Sequence, residues 1–226
     1  MTWTAPHPPT LTDGPLTGDD RPILEGFLAW QRGSLLTICA GLTGAQLAQR
    51  AVPPSNLSLL GLVRHLAKVE RIWFRQRVAG ETVDPMYDPA SGKDADFDEL
   101  DPALAEADFA RFDEECRLAD AAVAAMAFDD TFMLDGETYS LRLVYVHLIS
   151  EYARHNGHAD LLRERLDGTT GSLTAERRIA VTSGGGWPRG STGRTARAPL
   201  RRTLRRYGHR RPRHCLAPVR RCAPLE

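Results

Sequence analysis

The chain has no long apolar run, no paired-cysteine motif and no useful strand-like alternation, and each absence removes a class of protein. No segment of the 226 residues reaches the roughly 18 consecutive apolar residues that a membrane span requires. Four cysteines, Cys39, Cys116, Cys215 and Cys222, show no CxxC spacing. They read as reduced thiols and not as a disulfide framework. The opening MTWTAPHPPTLTDGPLTGDDRP has neither a basic n-region nor an apolar h-region. Residues 1–19 are therefore expected to form a flexible arm, not a signal peptide, and the expected compartment is the cytoplasm.

The formal net charge of zero conceals a division. From residue 171 onward 14 arginines face only Glu176 and Glu226, which leaves 15 basic and 27 acidic residues in positions 1–170. The body thus carries about −12 and the tail about +12. On charge the body is a poor nucleic-acid binder, and only the tail would attract a polyanion. The tail is rich in Arg, Gly and Pro, has no lysine and little apolar periodicity, so it is expected to be disordered. A basic arm is one reading of it. A frameshift product of a GC-rich gene is favoured, because the body shares the preference for Arg over Lys.

Between these ends the apolar spacing predicts an all-α protein, a four-helix bundle over residues 20–170. The first helix runs from about Arg21 to Gly41, with Asp19 or Asp20 as cap and Leu24, Phe27, Leu28 and Leu35 in its stripe. A turn over 43–50 and the Pro53-Pro54 pair redirect the chain. Ser58 caps a second helix ending near Gly80, and the acidic span 81–100 reads as a loop that could cover one end of the bundle. Asp101-Pro102 opens a third helix. Residues 128–139, with Asp135-Gly136, read as a turn or short extended excursion, and a fourth helix runs from its cap at Ser140 to Gly168.

That last helix carries the most informative pattern, His147, Glu151, His155 and His158 in VHLISEYARHNGHADLLRERL. At about 100° per residue the four fall within roughly 80° of one another. Leu143, Val144, Leu148, Leu161 and Leu162 flank the arc, which points the polar groups inward, where an unpaired carboxylate would cost several kcal/mol. A divalent metal would compensate it, since Glu151 and His155 stand four apart at chelating distance. His65, on the apolar arc of Leu62, Leu66, Val69 and Trp73, is the third candidate ligand. Ordinary readings exist for each. His65 and His147 would look the same as hydrogen-bonded core imidazoles, and Glu151 with His155 as an i,i+4 contact of a few tenths of a kcal/mol. Spacing alone leaves both open.

The blocks VPPSNLSLLGLVRHLAKVERIWFRQRVAG and SLRLVYVHLISEYARHNGHADLLRERLDG closely resemble those of DinB-like proteins, also called mini-circle proteins, in the superfamily of DinB and mycothiol-dependent enzymes. The likeness spans roughly residues 20–170. It implies a DinB-type bundle holding a divalent metal through one histidine of the second helix and two residues of the last, positions that His65, Glu151 and His155 match. Mycothiol-dependent maleylpyruvate isomerase is similar in using glutamate then histidine. The metal could be Zn, Ni, Mn or Fe. The resemblance further implies a thiol cofactor of mycothiol type attacking a small electrophile, with His147 and His158 as proton carriers or orienting groups. Arg154 or Arg163 would meet an anionic group, although solvated helix-face charges are the default reading of both. Similar bundles also form homodimers. Two other readings use the same site: metal-dependent hydrolysis, and a non-catalytic metal-stabilised bundle acting through a protein partner.

Overall fold

In the computed structural model the described residues are 2–9 and 14–170, so the tail at 171–226, with Cys215, Cys222, His209 and His214, lies outside them. Six α-helices, one π-helical segment, two 3₁₀ turns and one two-stranded hairpin make up the regular structure among the described residues. None of those helices is long and apolar enough to cross a membrane.

Helix α1 (Asp20–Cys39) buries Leu28, Leu35 and Cys39, and Asp19 stands at its N-cap without a side-chain capping bond. Its C-terminal carbonyls are satisfied from outside, because Arg163 donates to Ile38 O at 2.7 Å and to Ala40 O at 2.9 Å. Where a plain turn is expected over 43–50, Thr43 and Gln46 form a reciprocal capping box on a short α2 (Gly44–Leu47). Residues from the N-terminal segment lie against this region. Ala5 exchanges backbone bonds of 2.8 Å with Leu42 and Gly41, and Trp3 meets Phe109 edge-on at 5.4 Å.

Helix α3 (Leu59–Glu70) starts at Ser58, whose hydroxyl accepts the Gly61 N–H at 3.1 Å. The helical segment ends near Gly80 as expected, but its last turns are not α-helical. It widens into π-helix over Arg71–Val78, closed by the Ala79 N–H donating to Phe74 O at 3.0 Å. The acidic span that follows, expected as a loop, holds a 3₁₀ turn (Pro89–Ser91) and a one-turn α4 (Ala95–Asp98). Asp101 caps the next element through Ala103 N at 2.9 Å, and a 3₁₀ turn leads into α5 (Ala105–Val123). The excursion after it is a hairpin, β1 (Thr131–Leu134) against β2 (Glu137–Ser140), turning on Asp135-Gly136 with both residues at positive φ. Helix α6 (Leu141–Asp167) begins at the Ser140 cap and ends on left-handed Gly168, as its sequence predicts.

Helix α1 packs on α6 and α3 packs on α5. One polar network, centred on the buried Glu70 and reaching the surface at Asp120, joins all four. Arg32 of α1 holds the Glu70 carboxylate of α3 with two bonds of 2.7 Å and reaches Asp120 of α5 at 2.9 and 3.0 Å. Tyr152 of α6 donates to Glu70 Oε1 at 2.8 Å, and the Glu70 side chain is 0% exposed. A carboxylate so enclosed is tolerable only while its partners stay in place. Arg32→Ala is therefore expected to cost about 3–5 kcal/mol in urea denaturation, while replacing Arg32 and Glu70 together by Met and Leu recovers most of the loss. A single Arg32→Ala cost near zero would contradict this account.

Candidate metal centre

The buried stripe of α6 runs through Leu141, Val144, Tyr145, Leu148, Tyr152, His155, Asn156, Ala159 and Leu162. Leu143 and Leu161, expected to flank the inward arc, are 47% and 62% exposed. Both lie about 100° round the helix from Val144. His147, Glu151 and His158 consequently stand at the edge of the stripe, half-buried, and not in the core. Tyr152, anchored on Glu70, fixes the rotation that turns this edge toward α3.

His65 projects from α3 into the same edge. Glu151 Oε1 lies 3.2 Å from His155 Nε2 and 3.5 Å from His65 Nε2, and one donor atom from each of the three residues lies within 4.8 Å of the others. Ligands at about 2.1 Å in a tetrahedral site stand about 3.4 Å apart, so the two contacts to Glu151 already have the spacing of a shared divalent ion. Two imidazoles and one carboxylate suit Zn, Ni, Mn or Fe and leave further coordination positions open. In the absence of metal, hydrogen bonds from His155 and His65 hold the Glu151 carboxyl well below the ordinary carboxylate range, against the opposing effect of burial.

The outer nitrogens of the two imidazoles have different partners. His65 Nδ1 lies 2.7 Å from Asp96 Oδ2, and Lys68 Nζ lies 3.1 Å from Asp96 Oδ1. Phe97, the next residue, stacks on the His65 ring at 5.0 Å. Burial opposes protonation of His65, yet its bonds to Asp96 and Glu151 prevail and raise its pKa. Burial likewise opposes ionisation of Asp96, and His65 and Lys68 outweigh it. His155 Nδ1 instead faces His158 Nδ1 at 3.4 Å. Burial, then the neighbouring His155 and Arg154, lowers the His158 pKa.

His147 does not belong to the ligand group. Its ring packs on Trp73 at 4.4 Å, and Arg77 lies over that same indole at 4.2 Å. Burial lowers the His147 pKa, and the Arg77 and Arg154 charges add to the effect against the pull of Glu151. Arg154 is exposed. Arg163 is neither solvated nor aimed at the site, since it caps α1 and pairs with Asp167 at 2.9 Å. Cys39 and Cys116 are free and buried, with the Cys39 thiol pushed up by burial to about 12 and Cys116 also raised. Neither is a nucleophile at neutral pH.

Sequence reasoning missed Asp96, Phe97 and Lys68. Lys68 stands three residues after His65, the spacing at which two helical side chains can share one partner. Phe97 is an aromatic residue inside an acidic stretch, a sign that this part of the span packs inward. Nothing in the pattern identifies which of the nearby aspartates reaches the imidazole.

A family model described as mycothiol-S-transferase matches residues 23–168, a stretch that contains α3, α4 and α6 and with them every residue of the His/Glu/His group. No curated protein and no solved structure matches. By that match over more than half of its length, the chain belongs to the mycothiol-S-transferase family, a DinB-like family.

Proposed function

We propose that the protein is a divalent-metal-dependent S-transferase that joins a low-molecular-weight thiol of mycothiol type to a small electrophile. The observation that carries this reading is the convergence of His65, Glu151 and His155 on one point with coordination positions to spare. The family match supports a thiol of mycothiol type as the cofactor. In this reading the four long helical segments form the DinB-type bundle over residues 20–170, and His65, Glu151 and His155 hold the metal. When bound, the ion would lower the pKa of a coordinated thiol and so favour its thiolate.

The remaining chemistry falls to side chains at the edge of α6. Sulfur forms the new bond to the electrophilic carbon, the leaving group departs with its electron pair, and the thiol proton must be taken up. His147, one turn before Glu151 and kept neutral by burial and two arginines, is suited to receive that proton. His158 is placed to steady the His155 ring through its outer nitrogen. Arg154, exposed and three residues beyond Glu151, is placed to receive an anionic group on the thiol or the electrophile.

Transfer is measured with mycothiol and a fluorogenic alkylating probe such as monochlorobimane. Metal-dependent conjugation is expected, with His65→Ala losing more than the roughly 100-fold that altering an outer partner costs. His147→Ala should lower kcat about 100-fold with little change in KM. Equal turnover without thiol would reject the transferase in favour of metal-dependent hydrolysis.

The charges at the site also set opposite pH dependences for the two forms. In the metal-free protein the raised His65 contributes stability that is complete below its ordinary value of 6.5 and is lost as pH rises through the folded-state value. The depressed Glu151 and Asp96 contribute above about pH 4 and lose that contribution as pH falls through their lowered values. Metal binding instead requires neutral His65, so the affinity rises with pH. The His65 contribution, read with EDTA as the difference in melting temperature between wild type and His65→Ala, should fall from pH 6 to pH 8, and the gain in wild-type Tm on adding Zn²⁺ should grow over that range. A constant Zn²⁺-dependent gain would contradict the assignment of His65 as a ligand.

A further inference from the structure

Asp96 comes from the one-turn α4, 31 positions after His65, and its carboxylate is buried at 1% exposure. Such a carboxylate is costly unless its oxygens are occupied. Here one takes His65 Nδ1 at 2.7 Å and the other Lys68 Nζ at 3.1 Å. The segment is held by more than this pair. Arg64 donates to Asp96 O at 3.1 Å and to Ala95 O at 3.2 Å, and its Nη1 also reaches Asp108 Oδ2 of α5 at 3.3 Å. Phe97 fits where Gly61 has no side chain, since a Cβ there would stand 2.9 Å from the Phe97 ring. Backbone, ring and carboxylate of α4 are thus all fixed against the α3 face that carries His65.

A neutral imidazole has one donor and one acceptor nitrogen, and a carboxylate on Nδ1 requires the proton to sit there. With the proton on Nδ1, the Nε2 lone pair is free for an ion placed between His65 and Glu151, whose Oε1 lies 3.5 Å away. On this geometry we propose that Asp96 is the positioning residue of the metal centre, fixing the tautomer, ring orientation and ligand strength of His65, with Lys68 as its counter-ion. Among the described residues the outer nitrogen of His155 meets the imidazole of His158 and no carboxylate, so the two candidate histidine ligands are supported unequally. The proposal rests on the metal reading above and extends it to a segment that the ligand spacing does not touch.

The test is Zn²⁺ affinity of the full chain by competition with a chromophoric chelator, for wild type, His65→Ala, Asp96→Ala and Asp96→Asn, with metal-free melts and circular dichroism as folding controls. Asp96→Ala is expected to weaken Zn²⁺ by about 100-fold and Asp96→Asn by about 10-fold, since an amide oxygen still accepts the Nδ1–H bond but carries no charge. ¹⁵N spectra of the Zn²⁺-loaded wild type should show His65 protonated at Nδ1, and that proton should lose its protection in Asp96→Ala. If Asp96→Ala does not fold, the affinity of the near-isosteric Asp96→Asn decides. Folded Asp96 variants that bind Zn²⁺ within twofold of wild type, while His65→Ala does not bind, would overturn the proposal and leave the metal site standing. A folded wild type that takes up no Zn²⁺ overturns the metal reading and this proposal with it.

Discussion

The arrangement of the helices depends on one buried carboxylate. Glu70 of α3 is fully enclosed and is held by Arg32 of α1 and Tyr152 of α6, while the same arginine reaches Asp120 of α5. Apolar packing alone would tolerate small rotations of a helix about its axis, but a buried ion pair does not, because any slippage strands a charge. Tyr152 adjoins Glu151, and Glu70 is five residues from His65. The network that fixes the helices therefore also fixes the approach of His65 and Glu151, two of the candidate ligand residues.

A second set of constraints acts from outside the long helices. Span 81–100 sends Asp96 and Phe97 back onto α3, so His65 is held between a carboxylate at one nitrogen and the edge of α6 at the other. The two carboxylates that touch His65 have distinct surroundings. Glu151 is half-buried at the edge of its stripe, where a bound group can reach it, whereas Asp96 is closed off by α3 and Lys68. In the proposed centre, accessibility separates the ligand from its support. The π-helical stretch brings a third feature to the same region by placing Trp73 against His147 and under Arg77.

Much of this was legible from local signals. Ser58, Ser140, Asp101-Pro102 and Gly168 mark helix boundaries through capping chemistry that involves near neighbours only, and they stand where the sequence puts them. His65, Glu151 and His155 were legible because periodicity assigns each to a face, and the fold brings them together. Features set by distant partners were not. Arg32, Glu70 and Asp120 look like ordinary helix charges until α1, α3 and α5 are assembled, and Asp96 is one aspartate among several in an acidic span. The i→i+5 winding of 71–78 left no mark in the apolar spacing used to place the helix, and the exposed Leu143 and Leu161 show that an apolar residue beside an arc need not share its burial.

The central claim is that His65, Glu151 and His155 hold one divalent ion. Anomalous diffraction at the zinc edge, from crystals of the full chain grown with Zn²⁺, tests it most directly. The account predicts a single strong peak about 2.0–2.2 Å from His65 Nε2, His155 Nε2 and a Glu151 carboxylate oxygen. A folded protein with no peak among those atoms in excess Zn²⁺, or with its strong peak elsewhere, would contradict it.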